Sequence, residues 1–110
     1  MEVKITYTSD FLRQLKRLRK KYHSMREDFA VLLQSLEANP FQGSDLGNGV
    51  RKIRMTITSK GKGKSGGARI ITYNVILSID SVNVTLLTIY DKNEISNVSD
   101  AYIRSLISDI

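Results

Sequence analysis

The sequence of 110 residues contains no cysteine and no tryptophan, and it has one proline and one histidine. Without cysteine, the chain cannot form a disulfide framework, a thiolate metal site or a cysteine nucleophile. The single histidine, His23, cannot form a histidine pair or a multi-histidine metal site, and we interpret it as a surface residue between two helices. The sequence therefore predicts a protein that uses no metal or other cofactor.

Long apolar runs are also missing. No segment approaches the roughly 20 apolar residues that span a bilayer, and the N-terminus alternates polar and apolar residues instead of forming the core of a signal peptide. The composition, 41% hydrophobic and 25% charged, is that of an ordinary globular chain with one core. We therefore predict a single domain over residues 1–110, located in the cytoplasm and without a membrane partner.

Basic residues exceed acidic ones by 17 to 11, which gives a formal net charge of +6. The excess is uneven, because seven basic side chains fall within residues 1–24 and seven more within residues 51–69, where there is no acidic residue. Two separate basic zones indicate a polyanionic partner more strongly than the modest net charge does.

The first half of the chain predicts a strand followed by a helical hairpin. Residues 3–8 alternate apolar and polar side chains, and Ser9 or Asp10 is placed to cap a helix with an apolar stripe. Ser24 and Glu27 have the spacing of a capping box for a second helix, which should end at Asn39-Pro40.

The second half predicts three strands and a helix. The strands cover about 50–57, 68–78 and 83–91, the last two should pair antiparallel, and Ser99 is placed to cap the final helix. Residues 41–49 are glycine-rich and are interpreted as a loop. The order β-α-α-β-β-β-α predicts an α+β domain whose helices pack on a small antiparallel sheet.

The most unusual segment is the lysine- and glycine-rich stretch from Lys60 to Gly67. It contains the spacing G-x-G-x-x-G, but a strand follows instead of the helix that a dinucleotide site requires, and the first glycine of a P-loop is replaced by Thr58. The remaining interpretation is a loop that grips a nucleic-acid backbone through Lys60, Lys62 and Lys64. The alternative is a solvated hairpin loop.

Further basic residues lie on the predicted strands. Alternation places Lys52 and Arg54 on the face opposite the core, either as the wet side of a strand or as anion ligands. Arg69 opens the most apolar strand, where it needs a protein partner or a polar ligand. Lys92 follows the last strand, so cations from three strands are expected to meet in one groove.

These segments resemble the RelE/ParE toxin superfamily and are most similar to its HigB-like RelE toxins. The similar segments are Arg51–Arg54, Lys60–Tyr73 and Leu86–Glu94. The resemblance implies a RelE-like fold and a bacterial type II toxin–antitoxin system. In such a system the toxin enters the ribosomal A site and cuts mRNA without a metal ion, acting as an endoribonuclease that inhibits translation.

The resemblance also implies which residues act. The catalytic basic positions of the family correspond to Lys52, Arg54, Arg69 and Lys92. The family has a tyrosine just ahead of the last helix, where this chain has Val98-Ser99. Tyr73 and Tyr90 are the candidates for an acid or base in its place, and the alternative for each is an aromatic core residue.

An inhibitory antitoxin protein is the expected partner, besides the ribosome and mRNA. The basic face of the first helix is the predicted docking surface for an acidic or amphipathic segment of that protein, and it comprises Arg13, Lys16, Arg17 and Lys20. Two other functions stay open at this point. One is a ParE-like toxin that inhibits DNA gyrase, and the other is a non-catalytic module that binds RNA or the ribosome.

Overall fold

The computed structural model describes all 110 residues. Its centre is a five-stranded sheet with the strand order β1-β5-β4-β3-β2. The elements in chain order are β1 (Glu2–Tyr7), α1 (Ser9–Lys21), α2 (Met25–Ala38), β2 (Ser44–Gly47), β3 (Val50–Met55), β4 (Ala68–Ser78), β5 (Ser81–Asp91) and α3 (Asp100–Ser108). The predicted α+β class and the C-terminal helix are confirmed.

The sheet is mixed, and in this respect the prediction of a wholly antiparallel sheet was wrong. Strands β3, β4 and β5 pair antiparallel as predicted, but β1 lies beside β5 in parallel, with Val3 opposite Val82. Alternation of apolar residues predicts that a strand forms, but it does not specify the direction in which that strand pairs.

The sequence interpretation also missed β2, which lies within the glycine-rich segment predicted to be a loop. All four of its residues are exposed, and it pairs antiparallel with the start of β3. An exposed edge strand has no buried face, so its sequence carries no apolar alternation to reveal it.

The helix starts agree with the predictions in part. Thr8, rather than Ser9 or Asp10, caps α1, because its hydroxyl accepts a hydrogen bond from the Phe11 N–H. Ser24 precedes α2, but it makes no capping hydrogen bond, and its hydroxyl donates instead to Asp28. Ser99 caps α3 as predicted, by accepting from the Tyr102 N–H.

Helices cover both faces of the sheet. The larger apolar cluster joins α1 and α2 to one face and includes Phe11, Leu18, Phe29 and Ile70. A smaller cluster joins α3 to the other face, through Ile103 and Leu106. None of the three helices is both long and apolar enough to cross a lipid bilayer.

Candidate nucleic-acid interface

Two arginines and a tyrosine form a row across three strands on the face of the sheet that carries α3, where Arg54 is exposed and Arg69 and Tyr90 are buried. Arg54 of β3 lies directly opposite Arg69 of β4, and Arg69 lies directly opposite Tyr90 of β5. Side chains at opposed positions have Cβ atoms about 4.5–5.5 Å apart, so the two guanidinium groups extend from neighbouring points. Like charges directly opposite each other destabilise a sheet, and an anion bound between them would remove that cost.

Arg69 is the buried member of this row. It is only 7% exposed, and it forms no ion pair. Its guanidinium donates to the carbonyl oxygens of Lys64 at 2.8 Å, Ala68 at 3.2 Å and Ser65 at 3.4 Å. Burial, and then the nearby charge of Arg54, lower the pKa of Arg69 from its ordinary value. A buried cation held only by neutral oxygens retains a strong attraction for an anion.

Lys52 and Lys92 flank the row and are also held by neutral oxygens. The ammonium of Lys52 donates to Asn97 Oδ1 at 3.0 Å, and that of Lys92 donates to the Ser96 carbonyl oxygen at 2.9 Å. We name Lys52, Arg54, Arg69 and Lys92 the cationic face, and none of the four pairs with a carboxylate. The sequence analysis missed the positioning segment Ser96-Asn97, because a polar loop gives no signal of what it contacts.

The two tyrosine candidates lie in different places. Tyr90 is 3% exposed, and its hydroxyl has no hydrogen-bond partner. Burial raises the pKa of Tyr90, and the charge of Arg69 offsets part of the rise. The phenol therefore stays protonated at neutral pH. Tyr73 is four residues from Arg69 along β4, roughly 13 Å away. Both tyrosines are aromatic core residues, since Tyr90 is a buried member of the cluster under α3 and Tyr73 packs against that cluster. The row thus includes Tyr90 and not Tyr73.

The lysine-rich loop divides into one internal lysine and two exposed ones. The side chain of Lys60 is 9% exposed, and its ammonium pairs with the buried carboxylate of Asp91 at 2.8 Å. Lys60 therefore does not face solvent, although the sequence analysis predicted that it would contact nucleic acid together with Lys62 and Lys64. Lys62 and Lys64 are exposed and have no acidic partner. The loop returns to β4 through Gly67, where a Cβ would lie 2.0 Å from the Met55 carbonyl oxygen.

Half of the predicted docking surface on α1 is already paired within the protein. Arg17 lies 2.5 Å from Glu94, and Arg13 lies 3.4 Å from Asp10. Lys16 and Lys20 are exposed and have no acidic partner. Sequence spacing could not reveal the Arg17–Glu94 pair, because the two residues are 77 positions apart along the chain. Arg13 and Asp10 are three residues apart on one helix, and this spacing is a signal for an ion pair that was overlooked. Lys16 and Lys20 remain as the free cations of the predicted set.

No model of a known protein family matches the chain. The resemblance to RelE/ParE toxins rests on the residue pattern given above. The cationic face is described by its own geometry. Two of its cations lie on β3, one lies on β4 and one directly follows β5, and none of them has a carboxylate among its partners.

Proposed function

We propose that this protein is a bacterial toxin of RelE/ParE type that cleaves mRNA on the ribosome in the cytoplasm. The observation that carries the proposal is the Arg54–Arg69–Tyr90 row, in which two opposed arginines, one of them buried, lack any acidic partner. A protein keeps such an unfavourable arrangement when it binds an anion there. The phosphodiester of RNA is an anion that guanidinium groups bind through paired hydrogen bonds.

In the proposed reaction, the 2′-oxygen of one nucleotide bonds to its own 3′-phosphorus, and the bond from phosphorus to the 5′-oxygen of the next nucleotide breaks. Arg54 and Arg69 stabilise the additional negative charge on the phosphate oxygens in the transition state. The half-exposed ammonium group of Lys52 or Lys92 donates a proton to the departing 5′-oxygen, because the Tyr90 hydroxyl is fully buried and does not reach the RNA. No carboxylate or histidine lies on the row, and Lys52 and Lys92 are ammonium groups that cannot accept a proton, so the 2′-proton passes to a group of the ribosome.

The proposal is tested by adding the purified protein to translating ribosomes and mapping the 5′ ends of the mRNA. We expect new 5′ ends at A-site codons, and none when ribosomes are omitted. Intact transcripts together with inhibited supercoiling by DNA gyrase would replace the proposal with the ParE-like function. Intact transcripts together with ribosome binding would indicate a non-catalytic module.

The two exposed loop lysines are expected to contact the RNA backbone. Replacing both Lys62 and Lys64 with alanine should weaken binding to single-stranded RNA and reduce the slope of log K against log salt concentration by about 1.4, because each phosphate contact contributes about 0.7. Fluorescence anisotropy at several salt concentrations measures the slope. The matched control replaces Lys16 and Lys20, which are equally exposed but lie on α1. An equal change in both double variants would show a general effect of net charge.

An antitoxin partner belongs to the same proposal, and its proposed docking surface is the part of α1 around Leu12. Arg13 and Arg17 are engaged within the protein, whereas Lys16, Arg19 and Lys20 surround a shallow groove that contains Leu12, which is 51% exposed. An apolar side chain ringed by free cations fits an amphipathic helix with an acidic polar face.

A further inference from the structure

A groove lies beside the cationic face, between α2 and the end of β3. Strand β2 pairs with β3 only as far as Lys52, so the following residues of β3 have no strand on that side. The groove there encloses about 410 Å³, within the range of small-molecule pockets in proteins. Arg54 lines the groove and also belongs to the row. The groove and the row lie on opposite faces of the sheet, and they meet through Arg54 at the edge that β3 forms beyond Lys52.

The lining of the groove combines an apolar floor with fixed polar groups. Leu32 and Met55 are buried and apolar, and Val31 at the rim is 66% exposed. The amide nitrogen of Gln42 donates to Ser35 Oγ at 3.0 Å and to the Asn39 carbonyl oxygen at 3.2 Å. These bonds hold the amide in one orientation and leave its Oε1 without a protein donor. The groove therefore presents apolar surface for a planar ring and an acceptor for a donor on the ring's edge.

The charges of the groove are separated. Arg54 and Lys64 lie on its rim without ion pairs. Asp28 is the only carboxylate among the lining residues, and it accepts hydrogen bonds from Ser24 Oγ and from both the N–H and the hydroxyl of Thr58. An anionic group is thus favoured at the Arg54 and Lys64 rim, and a neutral polar ring is favoured inside.

The geometry points to this groove as a nucleotide-binding subsite that takes one base of the RNA next to the cleaved bond. The base lies against Leu32 and Met55 and donates a hydrogen bond to Gln42 Oε1, while its phosphate contacts Arg54 and Lys64. This inference rests on the proposed function for its substrate class. It goes further, because it assigns base contacts to α2 and to the segment before β2, which lie outside the cationic face.

The test uses a 2′-O-methyl RNA oligonucleotide, which cannot be cleaved, and a series in which one base at a time is removed. Gln42→Leu keeps the approximate size of the side chain and removes the acceptor. Affinity for the intact oligonucleotide should fall about fivefold, as expected for the loss of one hydrogen bond of about 1 kcal/mol. For the oligonucleotide that lacks the bound base, wild type and Gln42→Leu should have equal affinity. Gln34→Leu, an exposed substitution on α2, is the matched control and should change neither value.

The remaining outcomes separate this inference from the proposed function. A fivefold effect of Gln42→Leu on RNA binding, without mRNA cleavage by the wild type, would support the subsite and contradict the proposed nuclease activity. If the wild type cleaves mRNA and Gln42→Leu binds the oligonucleotide as tightly as the wild type, the result would contradict the subsite but not the nuclease activity. Equal weakening for all oligonucleotides, or no RNA binding by the wild type, would also overturn the subsite. A nucleoside monophosphate that binds as tightly as the oligonucleotide would overturn its assignment to RNA.

Discussion

Arg69→Ala is expected to reduce mRNA cleavage by 100- to 1,000-fold, the loss typical of removing one preorganised donor to a transition-state oxygen. The domain should stay folded. Arg69 has no carboxylate to leave unpaired, and two of the carbonyl oxygens that it binds belong to the exposed residues Lys64 and Ser65, where water can replace it. The lost hydrogen bonds cost about 1–2 kcal/mol, and removal of a desolvated charge offsets part of that cost. Cleavage rates on ribosomes and thermal unfolding are the two measurements.

Two further variants make this result specific. Arg69→Lys keeps the charge but loses the planar pair of donors, so its activity should lie between those of the wild type and Arg69→Ala. Arg104→Ala removes an exposed, unpaired arginine from α3 and should leave the cleavage rate unchanged. Unfolding of Arg69→Ala at room temperature, or equal loss of activity in Arg104→Ala, would show that the row has no special part in the reaction.

Lys60→Met is expected to have the largest effect on stability among the loop lysines. Asp91 is 1% exposed, and it accepts hydrogen bonds from the Lys60 ammonium, the Tyr22 hydroxyl and the Asn93 N–H. Removing one partner of a buried ion pair costs about 3–5 kcal/mol, and we expect about 3 kcal/mol because the other two bonds remain. The melting temperature should fall by on the order of 10 °C. Lys62→Met, which removes an exposed lysine two residues away, should change stability by less than about 0.5 kcal/mol.

The hydrogen bonds to Asp91 also make the free energy of unfolding depend on pH. Burial alone would raise the pKa of Asp91, but the hydrogen bonds from Lys60, Tyr22 and Asn93 outweigh it, so the folded pKa lies below the ordinary value. The unfolded chain then binds the proton more readily than the folded one. The stabilisation is therefore complete above about pH 5 and is lost progressively as the pH falls through about 4 and below.

Urea unfolding at pH 7 and at pH 3 measures this loss. The difference in unfolding free energy between the two pH values should be smaller in Asp91→Asn than in the wild type, because asparagine does not titrate. An unchanged difference would show that other carboxylates, such as Glu94, carry the acid sensitivity. The pKa of Glu94 is also lowered, first by its hydrogen bond from Arg17 and then by that from Lys21.

Most of the fold follows from local pattern. Strands β4 and β5 are rich in β-branched and aliphatic residues, so their position and antiparallel pairing were predicted within about two residues. Alternation also predicted that Lys52 and Arg54 share the face opposite the core. These features depend on residues close together in the chain, where spacing alone determines which side chains share a face.

The contacts of individual charges could not be predicted in the same way. Lys60, Lys62 and Lys64 alternate with glycine in one short segment and look equivalent in sequence. Only Lys60 contacts Asp91, which lies 31 residues away. The 3₁₀ turn at Thr58–Lys60 brings the lysine back over α1, and the following glycines carry the other two outward. Tertiary packing therefore assigns three similar lysines to two different environments.

The parallel pairing of β1 with β5 determines when the domain can finish folding. Thr6 contacts Thr85 across 79 residues, so β1 has no strand partner until β5 has been made. Contacts of such high sequence separation slow folding, because the entropy of closing the intervening chain is lost before the contact stabilises it. The helical hairpin and the β3–β4–β5 meander can form earlier from nearer residues. A nascent chain that stops before β5 lacks both the partner of β1 and Lys92, so the cationic face is completed only after β5 has been made.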